Sequence, residues 1–151
     1  MVGLLAALAL LLNTPAQADD KQAAAAYNAA AGLFNARLWD NAAKGYEEYL
    51  KNHPRHELVG HGHYGLGLCY FNLKRYDDAA VQLSKAINRK GPDKATANLI
   101  LGQALLNQKT ADPKKAEAAF DNCLKALGLA KTGLLNRSWT EEKVSAWVKA
   151  N

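Results

Sequence analysis

Apolar positions recur along this chain with the 3.6-residue period of helices, and no alternating run marks a strand. Six stretches carry the pattern: Lys21–Arg37, Asp40–Asn52, His56–Lys74, Asp77–Lys90, Asp93–Gln108 and Pro113–Leu127. Local punctuation supports them. Pro54 and Pro92 are expected to end the second and fourth, since proline lacks the N–H that a further turn needs. Asp93 is placed to cap the fifth. Asp112-Pro113 starts the sixth, Asp accepting the orphan N–H groups and Pro occupying the first helical position. A last helix is expected over Thr140–Ala150. Ser138 and Glu141 are set for a capping box, and Val144, Trp147 and Val148 share one face.

The six stretches are three copies of one unit. Phe34-Asn35-Ala36-Arg37, Phe71-Asn72-Leu73-Lys74 and Leu106-Asn107-Gln108-Lys109 each read large apolar, Asn, any residue, basic. Their asparagines are 37 and then 35 residues apart. Ala42, Ala79 and Ala116 recur every 37 residues, as do Tyr46, Leu83 and Phe120, and Tyr49, Ala86 and Cys123. The third unit carries two extra residues, in its Thr110-Ala111-Asp112 turn. Such a period predicts helix pairs stacked into an array, each burying its neighbour's apolar face.

Within the first helix of each pair, periodicity separates two faces. One holds Ala30 and Leu33, then His63, Leu66, Gly67 and Tyr70, then Asn98, Leu101, Gly102 and Leu105. Its small residues allow close approach, so it is the packing face. The other holds three trios spaced i, i+4, i+7: Tyr27, Ala31 and Phe34; Tyr64, Leu68 and Phe71; Leu99, Gln103 and Leu106.

The stretch from Leu66 to Ala79 resembles a tetratricopeptide repeat. Leu66, Gly67, Tyr70, Ala79, Leu83 and Ala86 fill that family's large and small positions. Leu101, Gly102, Leu105, Ala116, Phe120 and Cys123 follow suit. The first unit departs more, with Ala29 for the large residue and Tyr49 for the second small one. The resemblance implies an all-α superhelix of three repeat-like helix pairs (about 23–56, 57–92 and 93–128, within 19–130) plus a linker and capping helix over 131–151. It also implies a concave groove for a protein or peptide segment, lined by Tyr27, Phe34, His61, Tyr64, Leu68, Phe71, Leu99 and Gln103, with Asn35, Asn72 and Asn107 along one edge. The family's basic clamp for a C-terminal carboxylate has no counterpart, because the matching positions are mostly apolar. The 37-residue period, the export signal described next and the phrase from Tyr46 to Pro54 are similar to bacterial periplasmic repeat proteins linked to Tol-Pal and envelope assembly.

Residues 1–18 are patterned differently. Leu4–Leu12 is an unbroken Leu/Ala run, Asn13-Thr14-Pro15 stops it, and Ala16-Gln17-Ala18 places small residues where a signal peptidase reads. The expected outcome is cleavage before Asp19 and a periplasmic or secreted protein. The run is too short for a membrane span, which needs about 20 residues, so stable membrane insertion is not expected. The remainder, one domain's worth of chain, keeps the net charge of +5, dispersed in pairs such as Lys74-Arg75 and Lys114-Lys115. That suits a solvated surface better than a nucleic-acid groove.

Little in the sequence points to catalysis. Gly60-His61-Gly62-His63-Tyr64-Gly65 has the spacing of a dinucleotide fingerprint, but it follows a helix and no strand. His53, His56, His61 and His63 form a cluster that raises metal binding, yet Glu57 is its only acidic neighbour in sequence, and His61 and His63 diverge by about 200° on a helix. His63 falls on the packing face, and His53 at a helix C-terminus. Cys69 and Cys123 lie in non-adjacent helices and are expected to stay unpaired. No enzyme, cofactor or metal is expected. The function that follows is an exported adaptor for protein partners. The alternatives are a structural fragment of a larger repeat protein or a histidine-based metal-handling protein.

Overall fold

The computed structural model describes residues 15–128, with side chains from Ala18 onward. Six helices follow one another: α1 (Pro15–Asn35), α2 (Trp39–Asn52), α3 (Val59–Asn72), α4 (Tyr76–Ile87), α5 (Lys94–Asn107) and α6 (Pro113–Ala126). No strand is present among the described residues. The Leu4–Leu12 run and the expected capping helix with Ser138, Glu141, Val144, Trp147 and Val148 lie outside the described residues.

Each helix packs chiefly on its neighbours in sequence, and α1 also touches α3. The pairs α1/α2, α3/α4 and α5/α6 are the three sequence units. The column that recurs every 37 residues is the inside of each pair. Ala42, Ala79 and Ala116 are buried, as are Tyr46, Leu83 and Phe120, and Tyr49, Ala86 and Cys123. The expected packing face is closed too: Ala30, Leu66, Tyr70, Asn98, Leu101 and Leu105 are all buried. Two glycines there let the facing side chain in. A Cβ on Gly67 would sit 2.8 Å from Leu83 Cγ, and one on Gly102 would collide with the Phe120 ring. Cys69 and Cys123 are free, buried thiols, and burial pushes the Cys69 thiol up to about 12.

Helix ends bear out some of the punctuation and correct the rest. Asp93 accepts from the N–H groups of Ala95 and Thr96, and Asp112 accepts from that of Lys115 with Pro113 behind it. Pro92 does not end α4, which stops at Ile87, five residues earlier. Lys94 Nζ folds back to donate to the carbonyls of Ile87 and Arg89, and Gly91 turns the chain at φ 130°. The second A helix starts at Val59 rather than His56. The residues between fold into tight turns, His56 N–H donating to His53 O and Val59 N–H to His56 O. Conversely α1 begins at Pro15, six residues before the periodicity alone predicted.

Candidate functional site

The motif of large apolar, Asn, any residue, basic is a helix stop. Asn35, Asn72 and Asn107 are each the last residue of their helix. Asn72 and Asn107 donate their side-chain amides to the carbonyls of Leu68 and Gln103, four residues back. Arg37 and Lys74 adopt the left-handed conformation, both at φ 60°. Around them Arg37 N–H donates to Phe34 O and Leu38 N–H to Leu33 O, a pairing repeated by Lys74 with Phe71 and by Arg75 with Tyr70. This is the Schellman arrangement, which satisfies the last carbonyls of the helix. The third unit loses it. Gln108 leaves the helix extended, and the two extra residues close by an Asp112 N–H donated to Leu105 O.

These stops orient the aromatic face. Phe34 meets Trp39, the first residue of α2, edge-on at 4.9 Å between ring centroids. Phe71 meets Tyr76, the first residue of α4, at 5.5 Å. Tyr64, Leu68, Leu99, Gln103 and Leu106 are half-buried, as are Phe34 and Phe71. Asn35, Asn72 and Asn107 are exposed at the helix ends. The stripe is thus supported from below and open above. α3 carries no Asp, Glu, Lys or Arg, so its floor is uncharged.

Tyr27 and His61 occupy a different setting. Tyr27 lies 5.8 Å from the Tyr46 ring, 5.6 Å from Tyr49 and 6.5 Å from His61, and desolvation raises its phenol. His61 presses against Gly91 of the α4–α5 turn. These two fill the join between the first and second units.

The glycine-rich stretch is packing as well. A Cβ on Gly60 would strike the Lys90 carbonyl. One on Gly62 or Gly65 would lie 2.8 Å or 2.5 Å from the rings of Tyr49 and Tyr46. α2 therefore lies hard against α3, and nothing cradles a phosphate. At the rim of this join Tyr70 Oη donates to Glu47, and the Arg75 guanidinium sits 4.1 Å over the Tyr70 ring.

The histidines disperse. His63 Nδ1 lies 2.9 Å from Gln82 Oε1, and burial lowers its pKa. His53 and His56, however, gain acidic neighbours that the sequence did not place near them. His53 Nδ1 is 3.6 Å from Asp19 Oδ1, and His56 Nε2 is 3.1 Å from Asp20 Oδ1. The early start of α1 brings those carboxylates over the α2–α3 turn. His56 Nδ1 accepts from Tyr49 Oη at 2.8 Å and faces the Leu58 N–H, which leaves Nε2 as the donor to Asp20. The pairs border a cleft of about 320 Å³ shared with Ala23, Pro54 and Arg55. Among the described residues no three His, Cys, Asp or Glu side chains converge to hold a metal ion.

No helix among the described residues is long and apolar enough to cross a membrane. No curated protein matches the chain. The family model described as the tetratricopeptide repeat matches residues 63–89, which span most of α3 and all of α4. With that match on the second pair and the first and third in register with it, the chain is an all-α, tetratricopeptide-like array of three helix pairs, an architecture of protein–protein interaction.

Proposed function

We propose that this chain is an exported adaptor that holds a segment of a partner protein on the half-open aromatic stripe of its A helices. One observation carries the reading. Tyr64, Leu68 and Phe71 in α3, with Phe34 in α1 and Leu99 and Gln103 in α5, stay partly exposed while the other faces of these helices are closed. An uncharged strip of large side chains on a rigid scaffold suits an extended or helical segment that buries its own apolar residues. Tyr64 and Phe71 are the expected anchors, because aromatic side chains commonly dominate binding.

The export reading rests on the Leu4–Leu12 run and Ala16-Gln17-Ala18. It makes a cell-envelope partner, of the Tol-Pal or envelope-assembly kind, the first to test. Intact-mass measurement of periplasmic protein should give a chain beginning at Asp19, and a chain that retains residues 1–18 refutes export.

For the groove, the double change Tyr64→Ala and Phe71→Ala should abolish capture of the envelope partner from extract while the protein stays folded. Each anchor removed should cost about 2 kcal/mol of binding. Leu66→Ala, which empties a closed site, should cost more stability, about 2–5 kcal/mol. Capture that survives in a folded double variant eliminates the stripe as the binding site. If the double variant unfolds while Leu66→Ala is tolerated, the two faces are reversed.

A further inference from the structure

The outer face of α1 is unlike any other exposed face of the array. Between Lys21 and Arg37 it carries no charge. The exposed positions Gln22, Ala25, Ala29, Gly32 and Ala36 follow the alternating four-and-three spacing of a helix–helix seam. A Cβ on Gly32 would meet nothing within 4 Å. By contrast, α2 exposes Lys44, Glu47, Glu48 and Lys51.

The repeat shows what this face is for. Ala25, Ala29 and Gly32 stand at the register positions of Gly62, Leu66 and Cys69 in α3, and of Ala97, Leu101 and Ala104 in α5. All six of those are buried, and at Gly62 the covering group is the Tyr49 ring of the preceding helix, α2. The interface that α2 makes on α3 thus has an unoccupied equivalent on α1. The far end of the array has none. The register position of buried Ala43 and Ala80 is Glu117 in α6, which is exposed. Head-to-tail stacking would bury that carboxylate without a partner. An isologous contact avoids it and closes on itself.

We infer that α1 pairs antiparallel with α1 of a second copy of this chain, through Gln22, Ala25, Ala29, Gly32 and Ala36. The charges of α1 favour that orientation. Asp19 and Asp20 sit at one end and Arg37 follows the other, so antiparallel pairing sets the acidic end of each helix against the basic end of its mate. The inference is independent of the aromatic stripe, which lies on another face of the A helices. A single helix pair buries less than the roughly 1,200 Å² of a standard interface. Dimerisation is therefore expected at concentrations on the order of 10–100 µM.

Sedimentation of the full chain tests it. The expected result is a concentration-dependent dimer that Ala25→Glu with Ala29→Glu returns to monomer, with circular dichroism and melting temperature unchanged. Under mild oxidation Ala29→Cys, near the dyad, should form an intermolecular disulfide. A chain still monomeric at about 1 mM, or a dimer that persists in the folded double-glutamate variant, overturns the proposal. So does an intramolecular disulfide between Ala29→Cys and Leu8→Cys in monomeric protein, which would put residues 1–14 on this face instead.

Discussion

Arg37 and Lys74 hold a left-handed backbone that ordinary side chains resist at about 1–2 kcal/mol, whereas glycine adopts it freely. Neither side chain has a contact in the structure that repays this conformation. Arg37→Gly and Lys74→Gly should therefore each stabilise the protein by about 0.5–1 kcal/mol in urea titrations. Lys109→Gly should not, because the longer third turn does not pass through that conformation. Equal effects at all three positions would show that the stops are not the cause. His63 carries the second expectation at this scale. Burial lowers its pKa from 6.5, with Lys85 and Arg89 adding to the effect and the Gln82 bond opposing it. Below about pH 6.5 the unfolded chain then takes up a proton that the folded chain refuses. The contribution of His63 to stability is complete above that pH and is lost as pH falls through the window beneath it. Melting curves of His63→Gln, which keeps a polar group for Gln82, should lose part of the wild-type decline between about pH 7 and pH 5. Identical pH profiles would rule out this role.

The helices divide by how they use small residues. α2, α4 and α6 present one apolar stripe each and expose the rest, while α3 and α5 are enclosed on several sides and read as apolar nearly all round. That difference follows from position in the array, since an inner A helix is flanked by helices on both sides. Glycine tests it directly. Gly102→Ala drives a methyl group into the Phe120 ring and should destabilise by about 1–3 kcal/mol. Gly32→Ala meets open space on the outer face of α1 and should stabilise by about 0.5–1 kcal/mol through helix propensity alone. Thermal denaturation of the two variants should shift in opposite directions, and a shared direction would mean that α1 is packed where the structure leaves it open.

Across the whole molecule, contacts run almost entirely between consecutive helices. Stability in such an array is local, a sum of units and the interfaces between them. Phe120→Ala removes the largest buried side chain of α6 and should cost about 3–5 kcal/mol. Hydrogen exchange should show the loss confined to α5 and α6, with protection in α1 and α2 kept. A uniform loss along the chain would mean that the three pairs fold as one cooperative unit.

Repetition is why the architecture could be read from the chain. Ala42, Ala79 and Ala116 announce their shared role by spacing alone, and the Asp93 and Asp112 caps act on the next few residues. The same holds for the two faces of α3, because helical periodicity assigns Leu66 and Tyr64 to different sides before any partner is known. What the sequence could not supply lies between units. It expected no carboxylate near His53 and His56, because Asp19 and Asp20 are more than thirty residues away along the chain and meet them only when α1 docks. It placed Tyr27 on the groove, whereas the approach of α2 draws that ring in among Tyr46, Tyr49 and His61. It took Pro92 for the end of α4, which Lys94 ends by reaching back across the turn. Periodicity and capping are written in neighbouring residues, so the sequence by itself determined the helices, the repeat and the stripe. How deeply each stripe residue is covered depends on helices distant in sequence, and only the tertiary structure decided that.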